Sequence, residues 1–297
     1  VYPSAEWVDN EVVFRGREGA ASFNVNFIAP TLPEIRDLEI APVSVDEAAA
    51  CADRLYATMP QIFPPLPENR LKVLPLARER LRQGGKLRVV MLGDSIINDT
   101  NNGLWDALVM RSHPQVDLEV ITSVRGATGC WHYKTDENFK AYAIDRKPDL
   151  LIIGGISNGS RDGSSGLEAI REVISKARER IGCELLLLSG PMGHDWRTHD
   201  QSAPTQALAV QTPAPYVEFH RSLGNVFPVF AQSENWDCTK LEALAADMSV
   251  PYFDMYTPWH RYLGESRKPW NWFHRDVVHA NDRGKQVLAR MLAEYFK

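Results

Sequence analysis

The chain has few cysteines, only four among 297 residues. They are widely spaced, and none forms a CxxC pair or stands beside a histidine in a ligand-like cluster. Structural zinc sites need such paired ligands, so the sequence argues against a metal centre. Disulfides stay open as an alternative, although buried free thiols are favoured: Cys51, Cys130, Cys183 and Cys238.

Long apolar runs and basic runs are also lacking. The longest apolar stretches span about four residues, against the roughly 20 that a membrane-spanning helix needs. With 33 basic and 38 acidic residues the net charge is −5, so nucleic acids and anionic membrane surfaces are poor candidate partners. A content of 44% hydrophobic and 24% charged residues is typical of a globular protein. No targeting segment is visible, and since the chain starts at Val1 without a methionine, we expect a periplasmic or secreted location rather than a cytoplasmic one.

Residues 1–67 differ in pattern from the rest of the chain. Short β-like pieces separated by turn residues are followed by one helical stretch and a proline-rich passage. The sequence predicts an N-terminal extension that packs on the main body or ends an upstream β-domain. Its predicted strands are Glu11–Phe14, Ala21–Ile28 and Leu38–Val43, and its predicted helix is Val45–Met59.

Residues 68–297 alternate apolar runs with amphipathic helical segments, the pattern of βαβ units. It predicts an α/β fold, a three-layer α/β/α sandwich with a central five-stranded parallel sheet. The predicted strands are Leu87–Leu92, Leu118–Thr122, Leu150–Ile153, Leu185–Leu188 and Tyr252–Asp254. The predicted helices are Glu68–Arg82, Gly103–Ser112, Gly166–Ile181, Glu234–Met248 and Asp282–Tyr295. Ligands of such sheets bind beyond the carboxyl ends of the strands.

Two groups of polar residues are candidates for a site, one directly after a predicted strand and one directly before the last predicted helix. Gly93-Asp94-Ser95 follows the first predicted strand, where a serine hydroxyl can face solvent. Asp276 and His279 stand three residues apart before the last predicted helix, so the carboxylate can fold back onto the imidazole. Taken alone, His279 can equally be a helix-entry residue beside Asp282 as N-cap.

Together these segments resemble the SGNH (GDSL-like) hydrolases, a family with a flavodoxin-like fold. The resemblance makes Ser95 the nucleophile and Asp276 and His279 its partners, so that the chain is expected to be a serine esterase. The turn Arg125–Gly129 is similar to the family's second block, with Gly129 at the oxyanion-hole glycine. Asn158, within Gly155–Asn158, takes the oxyanion asparagine position, although Ile156 stands where the family usually has glycine.

The resemblance implies a mechanism without metal or cofactor. Ser95 attacks the ester carbonyl, His279 accepts and returns the proton, and Asp276 orients the ring. The N–H groups of Ser95 and Gly129 and the Asn158 amide bind the oxyanion. Ordinary turn chemistry is the alternative reading of Gly129 and Asn158.

Aromatic and polar residues near these segments favour a glycan ester as substrate, since flat rings stack on sugars. The weak candidates for substrate contact are Trp131, Tyr133, His194 and Trp272, with core packing as the alternative for each. We therefore expect hydrolysis of carbohydrate O-acetyl groups. A lipase or thioesterase and a catalytically silent carbohydrate-binding module are the alternatives; a nucleotide-binding protein is disfavoured because no phosphate-binding glycine motif is present.

Overall fold

The computed structural model describes Val13 and residues 37–61, 70–154, 166–190, 238–268, 272–275 and 279–297. The strands are β1 Gly85–Gly93, β2 Val116–Val124, β3 Leu150–Ile153, β4 Glu184–Leu188 and β5 Tyr252–Phe253. The helices are α1 Val45–Ala57, α2 Pro75–Gln83, α3 Ser95–Asn101, α4 Trp105–Ser112, α5 Cys130–Tyr133, α6 Asp136–Tyr142, α7 Gly166–Arg180, α8 Cys238–Asp247, α9 Tyr256–Ser266 and α10 Asp282–Phe296.

The five strands form one sheet in the order β2-β1-β3-β4-β5, and every neighbouring pair is parallel. Strand β1 lies inside the sheet and is buried on both faces from Val89 onwards, which explains the apolar run Val89–Leu92. Leu87, Val89 and Met91 face a core that includes residues of α1, α4 and α10. Val90 and Leu92 face a second core with residues of α7 and α8. The predicted three-layer α/β/α fold is confirmed.

Two predicted elements near the amino terminus were wrong. Leu38–Val43 forms no strand, and Leu38 is 65% exposed. The predicted helix Glu68–Arg82 is split into a 3-10 turn, Arg70–Val73, and α2. Pro75 explains the break, because proline has no N–H to donate and suits the first turn of a helix.

The helix α1, within the predicted extension, packs against α4 and α10. Asp53 of α1 bonds both Arg111 and Arg290, and this ties the three helices together. The other predicted strands of the extension, Glu11–Phe14 and Ala21–Ile28, lie outside the described residues apart from Val13. The boundary at residue 68 stays a prediction. None of the helices in the described ranges is long and apolar enough to cross a bilayer.

Gly284 allows the first turn of α10 to lie against the main chain of Phe273. A Cβ at Gly284 would stand 2.2 Å from the Phe273 carbonyl oxygen and 2.9 Å from the Ala280 Cβ. We expect Gly284→Ala to lower the free energy of unfolding by about 2 kcal/mol, because a backbone clash outweighs the better helix propensity of alanine. Urea denaturation measures this.

Gly126→Ala is the matched control, since a Cβ there would meet no atom of the described residues within 4 Å. We expect it to change the free energy of unfolding by less than about 0.5 kcal/mol. Equal stabilities of the two variants would contradict the close-packing explanation.

Candidate active site

Ser95 is the first residue of α3 and directly follows the end of β1. The preceding Asp94 is fully buried, and its Oδ1 accepts a hydrogen bond from the Ile96 N–H at 2.9 Å, which caps the helix. Ser95 itself is half-buried. Its N–H belongs to the first turn of α3, where N–H groups have no acceptor within the helix.

His279 lies against this serine. The distance between His279 Nε2 and Ser95 Oγ is 2.8 Å, although the two residues are 184 positions apart in sequence. Both are half-buried rather than enclosed, so the pair is open to solvent. This geometry suits proton transfer from a hydroxyl to an imidazole. Asp276, the expected partner of the ring, lies outside the described residues.

The segment before α10 holds His279 in place. His274 and Ala280 form an antiparallel bridge, and the Asn281 N–H donates to the Phe273 carbonyl at 2.9 Å. Asn281 is the N-cap of α10: its Oδ1 accepts from the N–H groups of Arg283 and Gly284 at 3.0 and 3.2 Å. Asn281, and not Asp282, therefore caps the helix, and Asp282 is its first residue.

The turn after β2 is fastened to the end of β1. The Arg125 N–H donates to the Gly93 carbonyl at 3.1 Å and to the Tyr133 hydroxyl at 2.9 Å. The Tyr133 hydroxyl in turn donates to the Gly93 carbonyl. These bonds join the turn to the residue two positions before Ser95.

Gly129, at the end of this turn, is buried and is the N-cap of α5. Its backbone is extended, with φ −148°, so a left-handed conformation is not the reason for a glycine there. Ala127 instead takes the left-handed conformation, with φ 54°. Asn158, the third expected oxyanion donor, lies outside the described residues.

The aromatic candidates differ in their surroundings. The prediction that Tyr133 contacts substrate was wrong, because its side chain is fully buried and its hydroxyl bonds the turn. Trp272 is half-buried, with the guanidinium of Arg283 4.3 Å from its ring centre and the ammonium of Lys268 at 5.3 Å. Trp131 is also half-buried and directly follows Cys130 in α5. His194 lies outside the described residues.

Burial raises the pKa of the Cys130 thiol to about 12, and the nearby Asp94 charge adds to this. Cys130 is therefore a neutral thiol at physiological pH and no competing nucleophile. Cys51, Cys130 and Cys183 are free. Within the described ranges, no three His, Cys, Asp or Glu side chains are grouped as metal ligands.

Comparison with known proteins gives structural matches without sequence matches. No protein-family model matches the chain, and no curated protein matches it in sequence. Among solved structures, a two-domain esterase active on acetylated mannans matches with a TM-score of 0.53 and 16% identity, over 76% of this chain and 52% of its own. This chain thus spans about half the length of that esterase.

Two further structures match at a similar level. A catalytic mutant of an acetylxylan esterase from Geobacillus stearothermophilus has a TM-score of 0.50 and 12% identity, over 72% of this chain and 95% of its own. A gut microbial diltiazem-metabolizing enzyme has a TM-score of 0.51 and 14% identity, over 71% of this chain and 47% of its own. At these identities the likeness establishes the fold. The chain shares the three-layer α/β/α fold of these structures.

Proposed function

We propose that the chain is a serine esterase that removes short acyl groups, with O-acetyl groups on a carbohydrate as its substrate class. The observation that carries the proposal is the 2.8 Å distance between Ser95 Oγ and His279 Nε2 at the carboxyl edge of the sheet. That edge is where α/β sheets bind their ligands.

In the proposed reaction, Ser95 Oγ attacks the acetyl carbonyl carbon while its proton moves to His279 Nε2. The tetrahedral intermediate collapses when the imidazolium returns this proton to the leaving sugar oxygen, which leaves acetyl-Ser95. A water molecule, deprotonated by His279, then attacks the acetyl carbon. The bond between this carbon and Ser95 Oγ breaks, the imidazolium returns the proton to Oγ, and acetate leaves. In this scheme Asp276 orients the imidazole, and the N–H groups of Ser95 and Gly129 with the Asn158 amide bind the oxyanion.

Two observations support a carbohydrate ester. By their names, two of the solved structures with this fold are esterases of acetylated polysaccharides. Trp131 is half-buried beside the turn that carries Gly129, and a flat ring in such a place suits sugar stacking. His194 and Trp272 remain weaker candidates for substrate contact.

Chain-length preference tests the substrate class. We expect kcat/KM for 4-nitrophenyl acetate to exceed that for the octanoate, and acetate to be released from acetylated mannan or xylan. A preference for octanoate would instead favour a lipase or thioesterase. Tight binding of acetylated oligosaccharides without release of acetate would favour a silent binding module.

Loss of the proposed third oxyanion donor is expected to slow catalysis without unfolding the chain. Asn158→Ala should lower kcat by about 10²- to 10³-fold, since one such donor contributes about 3–4 kcal/mol to transition-state binding. Steady-state kinetics on 4-nitrophenyl acetate measure this, with thermal unfolding as the check on folding. An unchanged kcat would remove Asn158 from the mechanism.

A further inference from the structure

The helix that begins with Ser95 contains one charged residue, Asp99. Asp99 follows Ser95 by four residues, so the two stand about one turn apart on the same side of α3. Asp99 is 1% exposed, although an ionisable side chain is seldom fully buried unless it is paired.

Both carboxylate oxygens of Asp99 bond the segment that carries His279. Its Oδ1 accepts from Arg275 Nη1 at 2.9 Å, and its Oδ2 accepts from the Ala280 N–H at 3.1 Å. Ala280 is the residue directly after His279. Asp99 therefore holds the histidine from its carboxyl-terminal side.

Arg275 bonds the main chain of this histidine and of Ala280. Its Nη1 donates to the Ala280 carbonyl at 2.6 Å as well as to Asp99, and its N–H donates to the His279 carbonyl at 3.0 Å. The main chains of Arg275 and His279 are thus bonded to each other, and an ion pair between half-buried Arg275 and buried Asp99 joins them to α3.

Burying the Asp99 carboxylate beside half-buried Arg275 is a costly way to obtain stability alone. Desolvation raises the pKa of Asp99, which shows the cost of burying its charge, whereas the charges of Arg275, Lys285 and His279 act in the opposite direction. Apolar residues of similar volume often stabilise a core as well as or better than such a pair. Charge-assisted hydrogen bonds, however, fix distance and direction more closely than apolar packing does.

We propose that Asp99 and Arg275 are positioning residues, which hold His279 at hydrogen-bonding distance from Ser95. The proposal rests on the proposed esterase function. A displacement of a catalytic group by about 1 Å can reduce a rate by about 100-fold. Weakening the bonds between Asp99 and Arg275 should therefore lower turnover, while substrate binding stays the same.

Asp99→Asn tests the proposal with a side chain of nearly the same shape. The amide can accept one bond, but its NH₂ group then faces a donor, either Arg275 Nη1 or the Ala280 N–H. We expect kcat for 4-nitrophenyl acetate to fall about 10- to 100-fold with KM changed less than about twofold. Labelling of Ser95 by a fluorophosphonate, followed by intact mass, should slow to a similar extent.

Arg275→Ala should give the same fall in kcat, and the conservative Arg275→Lys should restore most of it, because an ammonium can still donate to Asp99. Asp53→Asn is the matched control: Asp53 also pairs with two arginines, but it ties α1 to α4 and α10. We expect this control to lower the unfolding temperature while kcat stays at the wild-type value. Folded Asp99→Asn and Arg275→Ala variants with wild-type kcat would overturn the proposal.

If the single variants do not fold, the double variant Asp99→Leu/Arg275→Leu replaces the pair by apolar contacts. A folded double variant with reduced kcat and unchanged KM supports positioning, and one with wild-type kcat overturns it. Failure of the esterase function gives a different result: Ser95→Ala would then hydrolyse the ester as fast as the wild type.

Discussion

Replacement of Ser95 by alanine is expected to reduce kcat for 4-nitrophenyl acetate by about 10⁴- to 10⁶-fold, because the hydroxyl that forms the acyl-enzyme is removed. Ser95 is half-buried and its side-chain oxygen bonds His279, so the substitution removes little packing. We therefore expect the unfolding temperature to stay within a few degrees of the wild-type value.

The control for this measurement is a helical serine that lies away from the site. Ser112, at the end of α4, is exposed and its hydroxyl donates to the Leu108 carbonyl at 3.1 Å. Ser112→Ala should keep wild-type turnover. If Ser95→Ala keeps it as well, Ser95 is not the nucleophile and the proposed mechanism fails.

Replacement of His279 by alanine is expected to lower kcat by a similar factor, about 10⁴-fold or more, because Ser95 loses the base that accepts its proton. The double variant Ser95→Ala/His279→Ala should be no slower than either single variant. When two groups act together in one step, removing either one already abolishes their joint contribution to the rate. The second substitution therefore causes no further loss.

His113→Ala is the control for loss of a histidine. His113 is the C-cap of α4, and its N–H donates to the Val109 carbonyl at 2.9 Å. We expect wild-type kinetics from this variant. Additive losses in the double variant would mean that Ser95 and His279 act independently, which the proposed mechanism does not allow.

The inner strands could be predicted from sequence because buried parallel strands are apolar on both faces, whereas the edge strand β2 alternates apolar and polar residues from Val116 to Val120. β3 has the predicted bounds, and the other four strands match within two residues at each end. The short helices α3, α5 and α6 were missed, as was α9. Runs of four to seven residues are too short to show a helical period, and α9 contains Pro258 and Gly264.

The site was predicted less evenly. Gly93-Asp94-Ser95 and the position of His279 before α10 could be recognised because their order matches a known family. The roles of Asp99 and Arg275 could not be predicted from sequence. A charged residue is expected to be solvent-exposed unless its partner is known, and these two partners lie 176 positions apart. Tyr133 was misread for a related reason: an aromatic residue after a glycine turn has the same sequence pattern in a core as at a binding site.

The sequence distance of 184 residues between Ser95 and His279 affects when the two side chains meet during folding. Contacts between distant parts of a chain form after local ones, because closing a long loop costs entropy before any contact offsets it. A refolding chain can therefore have its sheet and most of its helices while α10 is still undocked. On the proposed mechanism, a chain in this state would hydrolyse nothing, so we expect turnover to return only after α10 has docked.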